Sequence, residues 1–70
     1  MGEVWYYDPS GKPSYYRHNQ YVYQPGGGAA FHVSGKYWYG LDDGQVAYYE
    51  HNNWIYTMGG QAAYYRTQNL

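Results

Sequence analysis

Short aromatic and apolar triplets alternate with polar, glycine-rich breaks along the whole chain. The triplets are "VWY" from Val4, "YVY" from Tyr21, "YWY" from Tyr37 and "WIY" from Trp54. After each break comes a second arm: "GKPSYYR" from Gly11, "GGAAFHV" from Gly27, "GQVAYYE" from Gly44 and "GQAAYYR" from Gly60. The leading glycines lie 16, 17 and 16 residues apart, so small, aromatic and turn positions recur in register. Such a fixed period predicts four copies of one hairpin, at about 4–20, 21–36, 37–53 and 54–70, within a single domain. The turns inside units are "DPSG", "PGGG", "LDDG" and "MGG"; those between units are "RHNQ", "VSGK" and "EHNN". Asn19, Gly35 and Asn52 hold equivalent places in the latter, and Asn and Gly accept the positive φ that tight hairpins need. No segment has helical period. The expected fold is all-β, an eight-stranded antiparallel meander with strands of about six residues. Exposed edges favour closure into a small barrel or two packed layers; the alternative is a single-layer sheet completed by oligomerisation.

Alternation sorts the strand residues into two faces. Two-residue turns at His18-Asn19, Ser34-Gly35 and His51-Asn52 set Tyr16 opposite Tyr21, His32 opposite Tyr37 and Tyr49 opposite Trp54. Ser14, Ala30 and Ala47 then oppose Tyr23, Tyr39 and Tyr56, with Val4, Tyr6, Ala63 and Tyr65 on the same side. This face has no charge and sets large residues beside small ones, which predicts the core. The other face carries the row Trp5, Tyr15, Val22, Phe31, Trp38, Tyr48, Ile55 and Tyr64. Glu3, Arg17, Lys36, Glu50 and Arg66 flank that row, with Gln20, Gln24, Asn53 and Thr57. Charges are rarely buried without partners, so this face is expected outside. An apolar stripe framed by polar groups would then meet a ligand or another chain.

Composition sharpens this picture. Thirteen Tyr, three Trp and one Phe stand against two Leu and one Ile, too aromatic for disorder and suited to strands. Seventy residues bury a small core, and without cysteine no disulfide can staple it. Four basic residues against five acidic ones argue against a nucleic-acid binder that works by neutralising phosphates. No apolar run is long enough to span a membrane and no signal segment stands at the N-terminus, so a soluble chain without membrane contact is expected.

The residues that could carry chemistry have simpler assignments. His18 and His51 are turn residues and His32 holds a Tyr position, so no metal is expected. "PGGGAAF" lacks the following helix of a phosphate loop. Asp42 and Asp43 are adjacent in a turn rather than held apart across a cleft, and Ser10, Ser14 and Ser34 form no nucleophilic triad. The chain reads as neither an enzyme nor a cofactor carrier.

"WYYDPSG" from Trp5 and "YWYGLDDG" from Tyr37 resemble the hairpins of choline-binding and glucan-binding cell-wall repeats, in which an aromatic triplet precedes a polar turn with Gly. The resemblance covers the first arm and turn of each unit. The family's unit is longer and carries a Gly-Trp step missing here. The resemblance implies Trp5 and Trp38 as ligand-contact aromatics. Two functions follow. One is a non-catalytic module for carbohydrate or a cell-wall-type ligand, with the stripe as platform and Arg17, Gln20, Gln24, Glu50 and Asn53 as hydrogen-bonding neighbours. The other is a structural, self-assembling protein whose stripe is a homo-oligomer interface. The expected partner is therefore a glycan or another copy of the chain.

Overall fold

A computed structural model describes residues 4–66. The strands are β1 Val4–Tyr7, β2 Pro13–His18, β3 Tyr21–Tyr23, β4 Ala29–Ser34, β5 Tyr37–Gly40, β6 Val46–His51, β7 Trp54–Thr57 and β8 Ala62–Arg66. Each pairs antiparallel with the next, and the sheet closes into a barrel in which β8 meets β1 through Tyr6↔Arg66 and Tyr7↔Tyr65. The meander is as the repeat predicts, and closure resolves the choice among barrel, layers and single sheet.

The turns between units lie one residue later than the sequence suggested. His18 pairs with Tyr21, Ser34 with Tyr37 and His51 with Trp54, so the two-residue turns are Asn19-Gln20, Gly35-Lys36 and Asn52-Asn53. The first residue of each is left-handed, with φ 59° at Asn19, 62° at Gly35 and 53° at Asn52, and in the third turn Asn53 is left-handed too, at 69°. The shift moves each cross-strand partner by two positions, so face membership survives it.

Each hairpin also carries one irregularity at the same place. The register slips after Tyr6, Val22, Trp38 and Ile55, which leaves Ser14, Ala30, Ala47 and Ala63 as extra residues on the return strands. An inserted residue bends its strand and increases the twist, which lets very short strands curl into a closed wall. The recurring small residue is thus a bulge device, not the small half of a large-small core pair. The slip also corrects the phase of the first arm. Trp5, not Val4, corresponds to Tyr21, Tyr37 and Trp54, and Tyr6 corresponds to Val22, Trp38 and Ile55.

In β1, Val4 and Tyr6 face inward and Trp5 outward as the sequence suggests, but in the other seven strands the inner and outer faces are reversed from that expectation. Tyr6, Val22, Trp38 and Ile55 have no exposed surface, and Val33 is nearly as buried. Val4, Tyr15, Phe31, Tyr48 and Tyr64 pack against them. The interior therefore holds one layer of four side chains from the outgoing arms and a second from the return arms, the filling expected of a small barrel. The opposite face carries Trp5, Tyr7, Tyr16, Tyr21, Tyr23, His32, Tyr37, Tyr39, Tyr49, Trp54, Tyr56 and Tyr65. Twelve rings cannot fit where layers of four fill the space, and their polar tips favour water.

Candidate functional site

The return-arm layer forms a closed circle of edge-to-face rings. Centroids are 5.5 Å apart for Tyr15–Phe31, 5.6 Å for Phe31–Tyr48, 5.7 Å for Tyr48–Tyr64 and 5.4 Å for Tyr64–Tyr15, with interplanar angles from 70° to 87°. Trp38 lies against three of these rings, and Tyr6 meets Trp38 edge-on at 4.8 Å. Edge-to-face contact sets the positive rim of one ring on the negative face of the next, and each such pair adds about 1 kcal/mol beyond burial. Burial raises the Tyr15 phenol. Burial, then the neighbouring phenols of Tyr48 and Tyr15, push the Tyr64 phenol well above the ordinary range.

The circle faces the barrel end closed by the within-unit turns, where two depressions open. One, of ≈ 470 Å³, lies between the β3–β4 and β5–β6 turns and reaches Tyr15 and Phe31. The other, of ≈ 370 Å³, reaches Tyr15 and Tyr64. They meet at Tyr15 and Gln24. Gln24, Asp42, Asp43 and Gln45 line the first, and Asp8 and Lys12 stand beside the second. Two rim carboxylates are fixed by their own turns. Asp8 Oδ1 accepts hydrogen bonds from the Ser10 hydroxyl and from the Ser10 and Lys12 amides, which holds its carboxyl below the usual range. Asp43 Oδ1 accepts from the Gln45 amide at 3.0 Å. A Cβ on Gly40 would meet that same oxygen at 2.9 Å, so Gly40 permits the tight β5–β6 turn.

The opposite end is ionic inside. Arg66 Nη1 donates to Glu50 Oε2 at 2.6 Å, and the Tyr6 hydroxyl donates to Glu50 Oε1 at 3.4 Å. Arg17 Nε donates to the Asn19 carbonyl at 2.9 Å. These charges share the inward face with the aromatic row because they sit at its mouth and Glu50 is paired. Burial first, then the Glu50 charge, pushes the Tyr6 phenol from 10.0 up to about 12. The folded state keeps this proton between pH 10 and pH 12 while the unfolded chain releases it. Stability is therefore full below pH 10 and falls as pH rises through that window, by about 3 kcal/mol from Tyr6 alone. Urea titrations at stepped alkaline pH check this: Tyr6→Phe should flatten the dependence by that share, and an unchanged slope would refute the assignment.

The residues expected to form one outer stripe are thus distributed over three places. Val22, Trp38 and Ile55 are sealed inside, so they touch neither a ligand nor another copy. Tyr15, Phe31, Tyr48 and Tyr64 come together as the circle, with Gln24 at its rim. Trp5 lies on the outer wall, against Tyr16 at 5.0 Å. Arg17, Gln20, Glu50 and Asn53 belong to the other end, where the Gln20 and Asn53 carbonyls accept the Val33 and Arg66 amides and close the barrel wall. The sequence reading passed over Tyr6 as a partner of Glu50 and Gln45 as a rim group. The common position of Tyr15, Phe31, Tyr48 and Tyr64 in the four repeats was the available signal for the circle.

No family model, curated protein or solved structure matches the chain. The site therefore rests on its own geometry. Among the described residues, no three His, Asp or Glu side chains converge as a metal site would require. Nor, among the described residues, is any helix long and apolar enough to cross a membrane.

Proposed function

We propose that this barrel is a non-catalytic binding module that takes a carbohydrate-class ligand at the end walled by the within-unit turns. The observation that carries this reading is the aromatic circle, three of whose rings, Tyr15, Phe31 and Tyr64, open into depressions rimmed by amides and carboxylates. Sugar rings present apolar C–H patches that suit aromatic surface, and hydroxyls that suit Gln and Asp. Gln24 and Gln45 offer both donors and acceptors, and Asp42 is a rim acceptor. The phenols of Tyr15 and Tyr64, neutral at physiological pH, add further hydroxyls near the floor.

The test is calorimetric titration of the full chain with neutral oligosaccharides of several linkages. At least one should bind, and Gln24→Ala with Asp42→Ala should weaken it about tenfold, or 1.4 kcal/mol, without changing the unfolding midpoint. Both positions are exposed in turns, so the substitutions spare the core. Absence of binding across the panel, or binding indifferent to both substitutions, would overturn the proposal.

A further inference from the structure

The outer wall carries a second repeated arrangement, independent of the ligand reading. In every repeat, a ring on the return strand lies flat against a ring directly opposite on an adjacent outgoing strand. Tyr16 faces Tyr23 at 5.2 Å and 14°, Tyr49 faces Tyr56 at 5.3 Å and 17°, and Tyr7 faces Tyr65 at 5.7 Å and 24°. The fourth pair is His32–Tyr39, at 5.1 Å and 12°. All four are register partners across neighbouring strands.

We propose that the three tyrosine pairs are oxidative cross-linking sites, at which a peroxidase-type one-electron oxidant supplied with hydrogen peroxide joins the two phenols as dityrosine. Each phenol gives up one electron and its hydroxyl proton. The unpaired electron of the resulting phenoxyl radical is shared with the ring carbons ortho to oxygen. Two facing radicals form one carbon–carbon bond between such carbons, and the hydrogen on each joined carbon then moves to the neighbouring oxygen. The pair loses two hydrogen atoms in all, and one hydrogen peroxide becomes two waters.

Geometry selects the sites. Facing rings present their π clouds to one another, whereas Tyr15, Tyr48 and Tyr64 meet edge to face at 70° and 87° within the barrel. Tyr39 faces an imidazole, so the second repeat is the natural gap in the series. The Tyr7–Tyr65 link has the widest consequence. It joins the first strand to the last, across the seam where the sheet closes, in a chain that has no cysteine to do so. Closing so long a loop restricts the unfolded chain and should raise the thermal midpoint by about 10 °C.

The experiment treats the dilute full chain with peroxidase and hydrogen peroxide, then reads intact mass, dityrosine fluorescence and cross-linked peptides. The expected product is a monomer short of two hydrogen atoms per link, with links confined to Tyr16–Tyr23, Tyr49–Tyr56 and Tyr7–Tyr65. Tyr7→Phe keeps the stacked ring and should delete only the seam link and its gain in thermal midpoint. Tyr65→His, which copies the second repeat, should do the same and serves as a second variant. No dityrosine, links between copies only, links at Tyr15, Tyr48 or Tyr64, or a pattern equal to that of the urea-unfolded chain would each overturn the proposal.

Discussion

Trp38→Ala lowers the unfolding free energy by about 4 kcal/mol, the middle of the range for deleting a buried large aromatic. Trp38 has no exposed surface, and its ring lies 4.8 Å from Tyr6, 5.6 Å from Phe31, 5.9 Å from Tyr48 and 6.2 Å from Tyr15. It connects the two interior layers, so its removal leaves a cavity that neighbours on short strands cannot collapse to fill. Its Nε1 has no hydrogen-bond partner among the described residues, so its contribution is packing. A domain of this size commonly has about 4–10 kcal/mol in total, which makes the variant marginal or unfolded. Urea unfolding followed by circular dichroism measures the loss. Trp5→Ala is the matched control: its ring lies on the outer wall against Tyr16, and its removal costs about 1 kcal/mol. Equal losses for the two, or a larger one for Trp5, would mean that the faces are assigned backwards.

Glu50→Ala is expected to cost about 2 kcal/mol. Glu50 is 15% exposed at its side chain and takes the hydrogen bonds of Arg66 and Tyr6, so its removal strands a guanidinium and a phenol in the barrel mouth. The full penalty for a broken buried pair is larger, but Arg66 is 34% exposed and water recovers part of it. Arg17 stands at the same mouth, which adds like-charge repulsion once the carboxylate is gone. The double variant Glu50→Leu with Arg66→Leu should recover most of the loss, because it removes both charges and adds apolar contact. Denaturation of Glu50→Leu, Arg66→Leu and the double variant gives the coupling energy directly. A double variant no more stable than Glu50→Ala would show that the pair contributes nothing specific.

The repeat was readable because its signals are local. Aromatic triplets, leading glycines and left-handed turn residues each act within a few positions, and four copies of one pattern reinforce one another. Strand number, strand direction and the meander all followed from them. The sorting into two faces also survived for seven of the eight strands, because a two-residue period tolerates a turn placed one residue early. The first arm failed: "VWYY" offers two ways to align a triplet, and only pairing of Tyr6 with Tyr15 and Trp5 with Tyr16 chooses between them.

By itself the sequence determined a chain of four hairpins with two chemically distinct faces. Which face is inside was decided only by closure. A barrel of eight short strands has room for layers of four side chains, and the row through Val22, Trp38 and Ile55 fits that space while the twelve rings of the other face do not. The charges on the same face did not prevent this, since curvature carries Arg17, Glu50 and Arg66 to one open mouth, where Glu50 pairs with Arg66. Radius and pairing partners are properties of the closed sheet, and no single hairpin contains them.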